Sequence, residues 1–245
     1  MKKTAIIIPS RLKAVRLPNK PFELINNKEM ILHVYEAAKK SNIGEVYVAT
    51  PDQKIKDLII SSGGKAILTS FDHQTGTDRV FEVFKNELKS EPNIIVNLQG
   101  DMPNIDPKTI AQLVSYMNEE KCDIGTLASN FSSGKEMADE NNVKVTVNKK
   151  LESNQFTQAT DFFRKDEKNC KFLYHHVGIY AFTNKALVRY VSLKRSHLEL
   201  ERKLEQLRAL ENSMTIHVGY INTSPLSVDT KNDLTEVRKI METNE

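Results

Sequence analysis

The stretch IIVNLQGDMP, residues 94–103, joins a nearly continuous apolar run to a glycine and a carboxylate. A short apolar run without alternation is typical of a strand that is buried on both faces, as in parallel sheets. An acid directly after such a strand does little for stability, but it is well placed to hold a hard divalent cation. The stretch therefore predicts a central strand, Ile94 to Gln99, with Asp101 at its carboxyl end.

The residues before and after this strand repeat the same alternation of strand and helix. Further strands are predicted at Ala5–Ile8, Val46–Thr50 and Ala66–Leu68. Helices are predicted at Met30–Ser41, Asp52–Ser62, Thr77–Leu88 with Thr77 as the cap, and Pro107–Met117. Alternation of buried strands with amphipathic helices predicts an α/β fold in which helices cover both faces of a parallel sheet.

After about residue 123 the pattern changes to strands with long irregular connections. Strands are predicted at Ile124–Ser129, Val143–Val147, Tyr174–Phe182 and Thr215–Tyr220. Helices are predicted at Leu198–Glu211, which carries leucines at helical spacing, and at Asn232–Met241. The polar stretch Gln155–Asn169 has no clear assignment. A partly antiparallel extension to one domain is the simplest interpretation.

Composition excludes several classes of protein. The 245 residues carry a net charge of only +3 without a basic stripe, which disfavours binding to nucleic acid. Cys122 and Cys170 lie far apart and indicate free thiols in a reducing compartment. The first apolar run is too short for a signal peptide or a membrane span. We therefore expect a soluble cytoplasmic protein without a membrane partner.

A cationic loop follows the first strand, between Pro9 and Pro21. Arg11, Arg16 and Lys20 in this loop can converge on one polyphosphate, since ligands of parallel sheets bind at the carboxyl ends of the strands. The loop lacks the GxxxxGK[ST] pattern of a Walker motif. A solvated basic loop is the alternative.

Two further loops carry candidate binding groups. Gly76, in DHQTGTDR (72–79), permits close approach of a ligand to the start of a helix, although an ordinary capped helix is about as consistent with the pattern. His73 in the same loop is interpreted as a structural or surface residue. Asp229, in SVDT (227–230), is a second candidate metal ligand beside Asp101, and a helix cap is its alternative role.

Several segments together resemble the CMP-sugar synthetases, most closely the 3-deoxy-manno-octulosonate (Kdo) cytidylyltransferase family. They are IIIPSRLKAVRLPNKP (6–21), DHQTGTDR (72–79), IIVNLQGDMP (94–103), HHVGIYAF (175–182), LEQLRALE (204–211) and SVDTKNDL (227–234). The resemblance implies a mostly parallel Rossmann-like sheet of the nucleotide-diphospho-sugar transferase type, with a small partly antiparallel dimerisation extension. It also implies one domain, 1–245, with a nucleotide-binding half at about 1–122 and a sugar-binding and dimerisation extension at about 123–225.

The resemblance implies CTP and an acidic 2-keto sugar as substrates, Mg²⁺ as cofactor and a homodimer. Nucleotide binding is expected of Pro9, Ser10, Arg11, Arg16, Lys20, Gln74, Gly76, Thr77 and Arg79, and metal binding of Asp101 and Asp229. Catalysis is expected of Arg11, Lys20, Asp101 and Asp229. Sugar binding is expected of Gln99, Arg164, His176, Tyr180, Glu205 and Gln206. For Tyr180, a place in the core is the alternative.

One departure concerns the sugar. The resemblance implies an arginine near the acidic sugar at the position where this chain has Gln158. Either Arg164 or Lys165 replaces that cation, or the acceptor is another 2-keto sugar acid of the amino-Kdo or sialic type. A nucleotide- or sugar-binding protein without turnover is the alternative outside the enzymes, because a fold does not guarantee activity.

Overall fold

Contacts along the chain divide it into two units. We analysed a computed structural model that describes residues 3–13, 16–119, 122–153, 155–165 and 170–243. The first unit comprises Lys2–Ala111 with Pro225–Glu245, and the second comprises Gln112–Ser224. The boundary lies close to the change of pattern near residue 123. The assignment of 1–245 to one domain stays a prediction.

The two units together contain the following strands and helices, numbered in chain order. The strands of the described residues are β1 (Thr4–Pro9), β2 (Leu24–Ile25), β3 (Lys28–Glu29), β4 (Glu45–Thr50), β5 (Ala66–Leu68), β6 (Ile94–Leu98), β7 (Ile124–Ser129), β8 (Lys144–Val147), β9 (Phe156–Phe163), β10 (Leu173–Thr183) and β11 (Ile216–Tyr220). The helices are α1 (Met30–Lys40), α2 (Gln53–Ser61), α3 (Gly76–Asn86), α4 (Pro107–Glu119), α5 (Gly134–Ala138), α6 (Asn184–Ser192), α7 (His197–Arg202), α8 (Gln206–Glu211) and α9 (Lys231–Glu242). A short 3-10 helix covers Lys20–Phe22.

The sheet of the first unit has the order β5-β4-β1-β6, and all three pairings are parallel. Every residue of β1 and β6 is buried, which explains why both strands read as continuous apolar runs. The predicted parallel sheet is confirmed. Its strands place the segments that follow Pro9, Thr50 and Leu98 at one edge.

The second unit is mainly antiparallel. Its strands have the order β10-β7-β11-β9-β8, and β8 also pairs with β10, so the pairings form a closed ring. Only β7 and β11 are parallel neighbours within this ring. The polar stretch that the sequence left unassigned contains β9, and its residues 166–169 lie outside the described part of the chain. Helix α6 was not predicted.

Two predicted helices differ from the structure in more than their last residues, one in its cap and the other in its continuity. The helix predicted to begin at Thr77 begins at Gly76, because the side chain of Thr75 accepts a hydrogen bond from the Asp78 amide. The helix predicted over Leu198–Glu211 is two helices, α7 and α8. Lys203 between them has a left-handed backbone, with φ 55°, and this conformation ends α7.

A buried ion pair joins these two helices. Glu199 on α7 is fully buried, and Arg208 on α8 is 3% exposed. Arg208 donates to both oxygens of Glu199, at 2.8 and 2.7 Å, and its guanidinium lies 4.6 Å from the centre of the Tyr190 ring. Burial opposes ionisation of Glu199, but hydrogen bonds from Arg208 and Arg195 outweigh it and lower the pKa of this carboxyl.

Among the helices of the described residues, none has the length and apolar character needed to cross a membrane.

We expect Arg208→Met to lower the free energy of unfolding by about 3 kcal/mol or more, because it leaves the Glu199 charge buried without its main partner. Denaturant unfolding measures this loss. Arg189→Met is the matched control, since Arg189 is exposed and donates to the Asn212 carbonyl. The double variant Glu199→Gln with Arg208→Met should recover most of the loss. If Arg208→Met lowered the free energy of unfolding no more than Arg189→Met does, the pair of Glu199 and Arg208 would not be a stabilising buried ion pair.

Candidate active site

The loop that follows β1 is tied down at several backbone atoms. The amide of Ser10 donates to the Ala49 carbonyl at 2.9 Å, and the amide of Asn19 donates to the Leu12 carbonyl at 3.2 Å. Asn19 has a left-handed backbone, with φ 58°. The 3-10 helix begins directly after it, so the loop delivers Lys20 at a fixed position.

Lys20 lies between two carboxylates that are distant in sequence. Its Nζ donates to Asp101 Oδ2 at 2.9 Å and to Asp229 Oδ1 at 3.0 Å. The Lys20 side chain is 17% exposed. Burial disfavours its charged form, but attraction to the two carboxylates outweighs burial and raises the pKa of Lys20 above its usual value. The structure therefore brings the two predicted metal ligands and one predicted phosphate ligand together.

Asp229 does not cap the last helix. The side chain of Thr230 accepts from the Asp233 amide and caps α9, and the Asp229 amide donates to Asp233 Oδ2 at 2.9 Å. The alternative role of Asp229 as a helix cap is therefore wrong. Its carboxylate instead accepts from Lys20 and from Arg16, whose Nη2 lies 2.8 Å from Asp229 Oδ2.

Backbone contacts and apolar packing hold the two acids in place. The Val228 amide donates to the Asp101 carbonyl at 2.9 Å, so the segments that carry the two acids are joined directly. The Leu226 amide donates to Asn104 Oδ1 at 3.0 Å. Below these segments lies a buried apolar cluster that comprises Leu17, Ile25, Met30, Val228, Leu234 and Val237. This packing of α9 on the residues around the cationic loop fixes the relative position of Lys20 and Asp229.

A residue that the sequence reasoning missed also anchors the cationic loop. Asp52 Oδ2 accepts from the Leu12 amide at 2.8 Å. Asp52 precedes α2 in the position of a helix cap, but its side chain makes no cap hydrogen bond. An aspartate at that position reads as an ordinary cap in the sequence. Its contact with Leu12, forty positions away, is a tertiary feature. Arg11, next to Leu12, is exposed.

The start of α3 lies close to β1 and to the end of β6. A Cβ atom placed on Gly76 would lie 3.5 Å from Pro9 Cγ and 3.6 Å from Gln99 Oε1. Gln99 Nε2 donates to Asn97 Oδ1 at 2.9 Å, and Asn97 Nδ2 donates to Thr77 Oγ1 at 3.2 Å. The structure thus brings Pro9, Gly76, Thr77 and Gln99 together. Asn97 was missed, although a buried amide within an apolar strand is itself a signal.

Other residues of the second loop lie apart from this group. Arg79 is buried and donates to Thr69 Oγ1 and to the Ser70 carbonyl, contacts that hold the end of β5. Burial and the nearby Arg11 lower the pKa of Arg79. Gln74 is exposed and donates to the Asp72 carbonyl at 3.3 Å. Nucleotide contacts of Arg79 and Gln74 stay predictions.

The second unit holds a buried group around His176. His176 Nε2 lies 3.0 Å from Thr126 Oγ1, and the His176 and Tyr180 rings are 5.4 Å apart. Burial, with smaller effects of His175 and Arg164, lowers the pKa of His176 to about 3, so this imidazole is neutral at physiological pH. Burial and Glu205 raise the pKa of Tyr180 well above its usual value, so its hydroxyl keeps its proton. The contact of Thr126 with His176 was not predicted.

The remaining predicted sugar ligands lie at other positions of the second unit. Glu205 precedes α8, and its carbonyl accepts from the Tyr190 hydroxyl at 2.9 Å. Gln206 is the first residue of α8 and is buried. The Arg164 guanidinium donates to the carbonyls of Glu140 and Asn141, at 3.2 and 2.7 Å. Their contacts with a sugar stay predictions.

The donors around Lys20 suit magnesium better than a metal with an all-protein ligand set. Within the described ranges, no group of three or more His, Cys, Asp or Glu side chains could hold a metal ion. Magnesium, however, commonly takes one or two carboxylates and completes its shell with phosphate oxygens and water. Asp101 and Asp229 present two carboxylates that reach a common atom, Lys20 Nζ. The pair therefore fits a magnesium ion that also binds a phosphate substrate.

Comparison with known proteins gives consistent matches over the chain. A family model described as cytidylyltransferase matches residues 5–216. A 3-deoxy-manno-octulosonate cytidylyltransferase of Bradyrhizobium sp. strain BTAi1 is 40% identical over 244 residues, which cover 98% of this chain and 97% of that protein. The family model covers most of the chain, including the positions of Lys20 and Asp101, and the match to the relative covers nearly all of it.

Solved structures agree with the sequence matches. A CMP:2-keto-3-deoxy-manno-octonic acid synthetase complexed with CTP is 36% identical, with a TM-score of 0.88 over 99% of this chain and 100% of that chain. A 4-diphosphocytidyl-2C-methyl-D-erythritol synthase from Anaerococcus prevotii, at 12% identity and a TM-score of 0.66, covers 98% of this chain and 99% of that chain and shows the fold alone. The predicted Rossmann-like α/β fold is confirmed. The chain belongs to the 3-deoxy-manno-octulosonate cytidylyltransferase family.

Proposed function

We propose that this chain transfers CMP from CTP to the anomeric hydroxyl of Kdo, with release of pyrophosphate, and so activates the sugar for lipopolysaccharide synthesis. The observation that carries the proposal is the convergence of Asp101 and Asp229 on Lys20 beside a cationic loop. Two acids and a lysine at the carboxyl edge of a parallel sheet suit a triphosphate with its magnesium. The family supplies CTP and Kdo as the substrates to test.

The reaction is a displacement at the α-phosphorus. The oxygen of the sugar hydroxyl forms a bond to that phosphorus, and the bond from phosphorus to the bridging oxygen of the β-phosphate breaks. The hydroxyl proton leaves to solvent, and pyrophosphate carries away the electron pair of the broken bond. The protein forms no covalent bond, so its contribution is to orient the reactants and to stabilise charge.

The chain's own cations are suited to hold the triphosphate. Lys20 supplies a compact ammonium on a flexible stem, and Arg11 and Arg16 supply guanidinium groups that bind two phosphate oxygens at once. Arg11 is exposed on a loop that Asp52 anchors, so its side chain is accessible to a ligand. Gly76 and the amide of Gln99 lie together at the start of α3 and offer contacts for the base and ribose.

Asp101 and Asp229 are the residues that would hold magnesium. The chemistry that a bound magnesium ion supplies at such a site is neutralisation of phosphate charge and a lower pKa of the attacking hydroxyl. The two carboxylates orient toward one atom because the Val228 amide joins their segments. In the second unit, neutral His176 and the protonated Tyr180 hydroxyl are hydrogen-bonding groups suited to a polyhydroxy acid.

We further propose that the chain acts in the cytoplasm as a homodimer. Among the described residues, Cys122 and Cys170 are present as thiols, which suits a reducing compartment. Val188 on α6 and Leu200 on α7 are exposed apolar side chains of the second unit. Exposed apolar surface of this kind is commonly covered by a symmetric partner.

Asp101→Asn should lower the turnover of CTP with Kdo by about a hundredfold or more, because the variant removes a carboxylate charge from the proposed metal site. Pyrophosphate release measures turnover, and far-UV circular dichroism checks the fold. Asp57→Asn is the matched control, since Asp57 is exposed on α2 and accepts from Gln53. Near-normal turnover of Asp101→Asn would exclude the metal assignment.

Arg164→Ala should raise the Michaelis constant for Kdo and leave CTP binding intact, because a sugar carboxylate needs a cation where Gln158 replaces arginine. Gln158→Arg should preserve or improve the use of Kdo. A panel of 2-keto sugar acids, assayed by pyrophosphate release, measures both effects. If Arg164→Ala leaves the Michaelis constant unchanged and the wild type rejects Kdo, the acceptor is another sugar. Absence of release with every sugar would favour a binding protein without turnover.

Sedimentation of the full chain at micromolar concentration should give the mass of a dimer, since the second unit exposes apolar side chains on α6 and α7. The measurement should be repeated at several concentrations and at high salt. A dimer that is held by apolar contacts persists when salt screens charges. A monomer at all of these concentrations would refute the homodimer.

A further inference from the structure

Cations already contact carboxylate oxygens of both acids of the proposed metal site. Lys20 Nζ contacts Asp101 Oδ2 at 2.9 Å and Asp229 Oδ1 at 3.0 Å. Arg16 Nη2 contacts the other oxygen of the second acid, Asp229 Oδ2, at 2.8 Å. The ammonium of Lys20 therefore lies at the point on which both carboxylates converge.

A divalent metal and the Lys20 ammonium compete for these oxygens. Magnesium binds carboxylate oxygens at about 2.0–2.1 Å and requires a nearly octahedral shell. An ammonium that remained in contact with the same oxygens would lie within a few ångströms of the metal. Two cations at that separation in a half-buried site repel strongly. The metal therefore binds more favourably once Lys20 has left at least one carboxylate.

We propose that Lys20 competes with the divalent metal for Asp101 and Asp229, so that the metal binds tightly only when the triphosphate draws the ammonium away. This inference rests on the proposed function, in which Lys20 contacts phosphate and the two acids bind the metal. It adds an order to the reaction, because the nucleotide must bind before the metal or together with it. A second consequence is that the protein without nucleotide binds divalent metal poorly.

The mobile partner in this exchange is Lys20 rather than the acids. The segments that carry Asp101 and Asp229 are joined by a backbone hydrogen bond from Val228 and rest on the apolar cluster. The lysine head sits at the end of a four-carbon stem that can turn toward a phosphate without backbone movement. The exchange trades two carboxylate contacts for phosphate contacts, so the lysine charge stays paired throughout.

The test is the binding of Mn²⁺ to the full chain without nucleotide, measured by electron paramagnetic resonance of the free ion. Lys20→Met removes the ammonium and keeps most of the stem. We expect it to bind Mn²⁺ roughly tenfold or more tightly than the wild type, because charge-assisted contacts no longer oppose the metal. Lys28→Met is the matched control, because Lys28 pairs with Glu36 and should leave Mn²⁺ affinity unchanged. The same Lys20 variant should bind CTP more weakly.

Further variants test whether the gain in Mn²⁺ affinity depends on Asp101 and whether the Lys20 variant is folded. Adding Asp101→Asn to Lys20→Met should abolish the gain, and Lys20→Gln should reproduce it if the methionine variant unfolds. Unchanged Mn²⁺ affinity in folded Lys20 variants would overturn the exchange, as would a gain that survives Asp101→Asn. Turnover of Asp101→Asn separates the two proposals. If that variant is inactive and the Lys20 variants gain nothing, the proposed function stands and only the exchange fails.

Discussion

The contact of one lysine with two carboxylates is the constraint that organises the candidate site of the first unit. Asp101 and Asp229 lie in segments far apart in the sequence, and two carboxylates that converge on one point repel each other. The Lys20 ammonium compensates that repulsion, while the apolar cluster under α9 provides the packing energy that keeps the segments together. The same arrangement brings α9, the last helix of the chain, onto the residues around the cationic loop. The site and the core of this unit are therefore stabilised jointly.

Much of this fold could be predicted from local pattern, for a physical reason. A strand buried on both faces is mostly apolar, so β1 and β6 were evident from sequence. Strand β9 was not, because its polar residues are stabilised by antiparallel neighbours on both sides rather than by their own pattern. The break between α7 and α8 was also hidden, since the leucine spacing continues across Lys203 while its backbone turns left-handed.

The candidate site shows the same division between local and tertiary information. Asp229 and Thr230 are both suited to cap a helix, and nothing in the sequence ranks one above the other. In the structure Thr230 caps α9 and Asp233 accepts a hydrogen bond from the Asp229 amide. The Asp229 carboxylate therefore contacts Lys20 instead of the start of the helix. Asp52 presents the reverse case, because a residue in cap position serves a loop far away in sequence. The sequence indicated which residue types could bind a ligand or a metal. The hydrogen-bond partners of those residues could be identified only from the three-dimensional structure.

Two arginines of the second unit are committed to carboxylates. The guanidinium of Arg208 is committed to buried Glu199, and that of Arg202 donates to Asp161 at 2.8 Å, so carboxylates compensate both charges. The positively charged guanidinium of Arg164 donates to the Glu140 and Asn141 carbonyls. That charge acts on His176, where burial is the larger cause of the low pKa and Arg164 adds to it. The imidazole of His176 is therefore neutral, so in the proposed sugar site the cation that meets the sugar carboxylate has to come from another side chain, and Arg164 is the one proposed.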